Sequence, residues 1–179
     1  MIEFFQKVID SLDKEKIPYM LSGSLAMGIY VIPRATRDFD FVIQLNENDI
    51  IKFASNFKVG YYCNEESIFD AVKHHSMFNI IDHESGYKAD FIVLKNEIYR
   101  KTEFERRQKI MFFEKEVSVV SVEDLILSKL IWIQDFPSIM QKNDLEQLLE
   151  LESIDKAYLK KWVIDLKLNT YNLPKISLK

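Results

Sequence analysis

Two stretches decide the fold: Tyr19-Met20-Leu21-Ser22-Gly23-Ser24, continuing as Leu25-Ala26-Met27-Gly28-Ile29-Tyr30, and Asp38-Phe39-Asp40-Phe41-Val42-Ile43. The first reads as a short buried strand over 19–22, a glycine turn, and a helix through Tyr30 with Ser24 as its N-cap. The second alternates carboxylate and aromatic before turning fully apolar. It therefore predicts a strand with Asp38 and Asp40 on one face and Phe39 and Phe41 pointing into the core. Thirteen residues lie between Ser24 and Asp38, enough for one short helix and a return to the sheet. The aspartate pair is thus expected beside the Gly23-Ser24 turn, whose backbone N–H groups and hydroxyl suit phosphate oxygens.

A third carboxylate, Asp90, lies between Ala89 and Phe91 in another strand-like run. Neighbouring strands bring same-face side chains within ~5 Å, so Asp38, Asp40 and Asp90 can share one site. Like charges at that distance raise one another's pKa unless a cation neutralises them, and hard oxygen ligands beside phosphate suit Mg²⁺ or Mn²⁺. With two ions, Asp38 and Asp40 would bridge both, while Asp90 would complete the metal that lowers the pKa of an attacking hydroxyl, or act as its base. That chemistry is phosphoryl or nucleotidyl transfer. Arg34, Thr36 and Arg37, just before the pair, are candidates for contacting phosphates or orienting Asp38; a solvated loop with surface arginines is the alternative.

The spacing of Gly23-Ser24, Asp38-Phe39-Asp40-Phe41 and Ala89-Asp90-Phe91 resembles the signature of the polymerase-beta-type nucleotidyltransferase superfamily. The longer string from Ser24-Leu25-Ala26 through Pro33-Arg34-Ala35-Thr36-Arg37-Asp38-Phe39-Asp40 more narrowly resembles small bacterial nucleotidyltransferases related to abortive-infection toxins. The resemblance implies an α/β (α+β) nucleotidyltransferase fold, a mixed sheet flanked by helices. It also implies a nucleoside triphosphate held at Gly23 and Ser24, and metal at Asp38, Asp40 and Asp90. Glu123-Asp124-Leu125 to Lys129, with Asp144 beyond, resembles the helical part of the toxin-like relatives.

The rest of the chain fits around these motifs. Phe5, Val8, Ile9 and Leu12 recur at helical spacing and predict a first helix over 2–16, which Pro18 ends. Helical signals follow at 49–56 and 67–74, with strands at 58–63, 77–81 and 87–94 and a hairpin turn at Gly86. A helix at 98–108, a hairpin over 110–120, and helices at 122–134, 139–151 and 156–166 complete the pattern. The expected organisation is a catalytic domain over 1–120 and a helical C-terminal subdomain over 121–179 packed on it. Ser121-Val122-Glu123-Asp124 is a capping-box pattern. Lys129 then falls on an otherwise apolar helix face, where an ammonium needs an anionic partner, either a triphosphate or a carboxylate, unless it snorkels to water. Asp144 reads as a surface carboxylate of an acidic helix, and Phe112, Phe113 and Trp132 read as core. His74 and His75 with Lys73, and Arg100, Lys101, Arg106, Arg107 and Lys109, form two cationic stretches that suit a solvated face or an acceptor nucleic acid.

Composition narrows the function classes. The 179 residues carry 24 Lys and Arg against 28 Asp and Glu, a net charge of −4, with 47 % hydrophobic residues. That excludes a disordered chain and weighs against broad sequence-independent nucleic-acid binding. A single cysteine, Cys63, supports neither an internal disulfide nor a cysteine zinc site and fits a reduced cytoplasmic protein. The N-terminus reads without a signal peptide, and the uncharged run 17–33 is too short and too polar to span a membrane. The sequence thus points to a Mg²⁺-dependent enzyme moving NMP from an NTP to an unidentified hydroxyl acceptor, whether RNA, protein or small molecule. Its family resemblance adds the toxin of a toxin-antitoxin or phage-defence pair, with a cognate partner protein. The alternative is a non-catalytic nucleotide- or protein-binding module, antitoxin-like, on the same fold.

Overall fold

The structure is a computed structural model and describes residues 1–173 and 175–176. Contacts divide the chain into two compact units: residues 1–26 with 34–120, and residues 27–33 with 121–179.

The first unit carries a seven-stranded mixed sheet. Its strands are β1 (Tyr19–Ser22), β2 (Asp38–Ile43), β3 (Tyr61–Tyr62), β4 (Met77–Asp82), β5 (Lys88–Val93), β6 (Gln108–Phe112) and β7 (Lys115–Val119), in the order β3-β4-β5-β2-β1-β7-β6. Two pairings are parallel, β2 with β5 and β1 with β7, and the rest are antiparallel. Along β2 every second residue is buried: Phe39, Phe41 and Ile43 point to the core and Asp38, Asp40 and Val42 to the other face. The core side is an aromatic cluster. Phe41 stacks on Phe91 and Phe91 on Phe78, while helix α1 (Ile2–Lys14) sets Phe5 edge-on against Phe39 at 5.5 Å. Each such pair adds ~0.5–1.5 kcal/mol to the area it buries. This one-sided packing fixes the register of β2 and β5, because a one-residue slip would drive the aspartates into the phenylalanine layer.

Four further helices belong to or begin in this unit: α2 (Gly23–Tyr30), α3 (Ile50–Ala54), α4 (Glu65–His74) and α5 (Ile98–Glu105). Two local expectations are corrected here. The extended run expected over 58–63 shrinks to Tyr61–Tyr62, because Lys58 caps the helical turn Ser55–Phe57 with non-extended backbone angles and Gly60 has φ +84°. The β6–β7 hairpin turns through Phe113 and Glu114, both with positive φ, a two-residue turn built without glycine. Phe112 precedes that turn and Phe113 lies in it, and both are half-buried rather than core.

The second unit holds helices α6 (Val122–Asp135), α7 (Ile139–Leu149) and α8 (Lys156–Asp165). Ser121 caps α6: its Oγ accepts from the Asp124 N–H at 3.2 Å and donates to Asp124 Oδ2 at 2.6 Å. Tyr158 of α8 donates to Asp124 Oδ1 at 2.7 Å, so this buried carboxylate is held on both oxygens. Trp132, expected in the core, is 53 % exposed and lies against Phe136. It occupies the outer side of α6, whose inner side is filled by Leu125, Ile126, Leu130 and Ile133. Among the described residues no helix is long and apolar enough to cross a membrane.

Candidate active site

Sheet register assembles the three aspartates. In the parallel pairing of β2 with β5, Asp40 lies directly opposite Asp90, and Asp38 opposite Lys88. On the flanking strands Ser22 of β1 faces Asp40 and Asn79 of β4 faces Asp90. A polar row, Ser22-Asp40-Asp90-Asn79, thus crosses four strands. Opposite side chains on adjacent strands sit about 4.5–5.5 Å apart at Cβ, which places Asp40 and Asp90 in reach of a shared ligand.

The glycine turn closes on this row. Gly23 has φ +65°, and a Cβ built there would lie 1.9 Å from Asp40 Oδ2, 2.5 Å from its Cγ and 2.8 Å from its Cβ. Only a residue without a side chain lets the turn come that near the carboxylate. Helix α2 begins at Gly23, two residues earlier than expected, so Ser24 lies inside its first turn and does not cap it. Its hydroxyl instead accepts a 2.5 Å hydrogen bond from Arg34 Nη2. Thr36 shapes the entry to β2: its Oγ1 accepts from the Asp38 N–H at 3.2 Å, and the Arg37 carbonyl accepts from the Lys88 N–H. The Arg37 side chain is exposed.

Charge in the row is balanced by a residue the sequence reading did not single out. Lys88 Nζ lies 2.7 Å from Asp90 Oδ2 and 3.7 Å from Asp38 Oδ1. Its pKa is raised, chiefly by the hydrogen bond to Asp90, against partial burial, and further by the charges of Asp90, Asp38 and Asp40. Asp90 is 6 % exposed, and its Oδ1 is buried without a hydrogen-bond partner among the described residues. An orphaned carboxylate oxygen at that depth costs on the order of 1–3 kcal/mol and calls for a donor or a cation. Hard carboxylate oxygens facing a glycine turn fit Mg²⁺ or Mn²⁺. As they stand, no three His, Cys, Asp or Glu side chains among the described residues form a ready metal cage. Lys88 supplies the positive charge instead.

Lys129, the remaining candidate, is 6 % exposed in the second unit. Its Nζ lies 2.7 Å from Asp144 Oδ2 and 3.1 Å from Gln141 Oε1. The anionic partner its position demands is therefore supplied by α7. Asp144, expected at the surface, is 2 % exposed because it serves that ion pair. His74 pairs with Asp70 at 3.0 Å in the exposed last turn of α4, and Cys63 has its thiol pushed up to about 11 by burial, with Glu65 adding to the effect.

No family model matches the chain, and no curated protein sequence matches it. Solved structures do. The crystal structure of ANT(2'')-Ia in complex with adenylyl-2''-tobramycin superposes with a TM-score of 0.61 over 93 % of this chain and 96 % of that one, at 10 % identity. The solution structure of the antibiotic-resistance factor ANT(2'')-Ia gives 0.60 at 9 % identity, over 93 % of this chain and 90 % of that one. JHP933 from Helicobacter pylori gives 0.53 at 16 % identity, over 92 % and 71 % of the two chains. The chain has the nucleotidyltransferase fold. At such identities the likeness is one of fold, and the chemistry must be argued from the residues of the row.

Proposed function

We propose that the protein is a cytoplasmic nucleotidyltransferase that moves NMP from an NTP to a hydroxyl acceptor and releases pyrophosphate. The observation that carries this reading is the Asp40–Asp90 register, with Gly23 pressed against Asp40 and Asp90 Oδ1 left without a partner. Gly23 and Ser24 hold the triphosphate through the turn's N–H groups, and Arg34, already on the Ser24 hydroxyl, adds a charge-assisted donor for its oxygens. Asp38 and Asp40 would hold Mg²⁺ or Mn²⁺, which when bound neutralises the triphosphate and lowers the pKa of the acceptor hydroxyl, leaving Asp90 as the base. In the transfer the acceptor oxygen bonds to the α-phosphorus. The bond from that phosphorus to the β-bridging oxygen breaks, and pyrophosphate leaves with the electron pair. Asp90 takes the hydroxyl proton at Oδ1. Lys88 holds Asp90 Oδ2 and so keeps Oδ1 turned away from the ion pair.

A small-molecule hydroxyl is one acceptor class, supported by the adenylyl-2''-tobramycin bound to ANT(2'')-Ia; RNA and protein hydroxyls are the others. The resemblance of the Ser24–Asp40 string supports a toxin or phage-defence role with a cognate partner protein. A non-catalytic nucleotide- or protein-binding module is the second reading, favoured by the ammonium that already neutralises Asp90 and approaches Asp38. Labelled NTP separates the two. Label from the α position, and not the γ position, should enter an acceptor fraction and disappear with Asp38→Asn/Asp40→Asn. Incorporation from γ-label alone would overturn nucleotidyl transfer, and undiminished α-label in the variant would overturn the site.

A further inference from the structure

The two cationic stretches that the carboxylate row leaves unused meet in the first unit. His75, from the Lys73-His74-His75 run, and Lys101, from the Arg100-Lys101 run, line one cavity of about 250 Å³ together with Lys95, Asn46, Asn96 and Gln44. We propose that this cavity is a second anion site, taking a phosphate group.

The fold creates the cavity. β2 and β5 are neighbouring parallel strands that end at Ile43 and Val93. Beyond those ends the chain runs on to the helical turn Glu47–Asp49 in one case and to α5 in the other, and such diverging carboxyl ends leave a crevice. Asp40 to Gln44 is four strand residues, ~13 Å at ~3.3 Å each, so the cavity is separate from the carboxylate row. Its position at the far ends of the same two strands leaves Asp38, Asp40 and Asp90 out of its lining.

Its chemistry favours an anion. Three of the six polar side chains can carry positive charge and the others are amides, with no carboxylate in the lining among the described residues. Lys88, Lys115, Lys129 and Lys161 each sit on an aspartate, whereas Lys95 and Lys101 have no ion-pair partner among the described residues. His75 is fixed at the rim. It caps α4 with φ 49°, and because a carbonyl only accepts, its Nδ1–H donates to the Leu94 carbonyl at 2.8 Å. That leaves Nε2 as the ring's other polar atom, able to donate to a phosphate oxygen when protonated. Lysine is a point-charge phosphate binder, and amide donors complete the set. The volume lies below the ~300–1,000 Å³ of pockets that enclose whole small molecules, which suits one phosphate with the rest of its ligand outside.

Amide shifts in NMR, read without NTP or metal, test the site with two probes: inorganic phosphate, and a short single-stranded oligoribonucleotide lacking a terminal phosphate. Shifts at residues 75, 95, 96 and 101 are expected. Phosphate alone would identify a free phosphate or phosphomonoester as the source, and the oligonucleotide alone or both would identify a phosphodiester backbone. For the oligonucleotide, two neutralised phosphates give a salt slope of about −1.4, roughly a seven-fold loss between 50 and 200 mM salt. K95Q/K101Q should remove that salt-dependent part and K95R/K101R should keep it, while spectra away from the cavity confirm the fold. Asp38→Asn/Asp40→Asn should bind as wild type, so loss of the catalytic reading leaves this test intact. Silence of these amides toward both probes, or unchanged binding in K95Q/K101Q, would overturn the proposal.

Discussion

Gly23→Ala tests how the turn and the carboxylate row are joined. The substitution places a methyl group 1.9 Å from Asp40 Oδ2, 2.5 Å from Cγ and 2.8 Å from Cβ, in a backbone with φ +65°. A non-glycine residue in that conformation costs about 1–2 kcal/mol. Overpacking of this kind costs about 1–3 kcal/mol more, since rotating the carboxylate clears Oδ2 and Cγ but not the Asp40 Cβ. Together they predict a loss of about 2–5 kcal/mol, or a fall in Tm of about 4–20 °C at about 2–4 °C per kcal/mol for a chain of this size. Calorimetric melting of G23A, D40G and G23A/D40G isolates the contact. Asp40→Gly removes the Cβ together with Cγ and Oδ2, so the cost of Gly23→Ala should drop toward the ~1–2 kcal/mol of the backbone, a coupling of at least ~1 kcal/mol. Equal cost in both backgrounds would refute the account of how the turn meets Asp40, and so would a Gly23→Ala protein as stable as wild type.

Two further outcomes follow from other buried groups. Lys129→Met removes the ammonium that buried Asp144 faces and should cost about 3–5 kcal/mol, most of it recovered in Lys129→Met/Asp144→Leu; chemical denaturation of the single and double variants checks this. The Cys63 thiol, pushed up to about 11 from an ordinary 9.0, should be alkylated about 100-fold more slowly at pH 8 in the folded protein than after unfolding. Because folding raises that pKa, its contribution to stability is fully present below about 9 and is lost as pH rises through about 11, which a melting series across that range should show.

What could be read from the sequence follows from where the determining interactions lie. The Asp38–Ile43 alternation sets its own two faces, so the strand, its bounds and the inward Phe39 and Phe41 were all legible, as was the need for a partner at Lys129. Lys88 was missed although it stands two residues before Asp90 and hence on the same strand face; that spacing was the available signal. Its role appears only once β5 pairs with β2 and brings Asp38 beside it. Asp144 was misplaced for the same reason. Its partner is fifteen residues away on another helix, and α7 has too weak an apolar stripe to show which side is buried. The turn at Phe113-Glu114 carries none of the glycine or asparagine that marks a two-residue hairpin, so its position became visible only in the strand pairing.

The central claim is that the Asp38, Asp40 and Asp90 row binds a nucleoside triphosphate with a divalent cation. Thermal melting of wild type and Asp38→Asn/Asp40→Asn with each NTP, with and without Mg²⁺, tests it without knowledge of the acceptor. Saturation at one hundred times Kd should stabilise the wild type by ~2.7 kcal/mol, about 5–11 °C here, only when Mg²⁺ is present and not in the variant. A folded wild type that no NTP stabilises, or an equal shift in the variant, would contradict it.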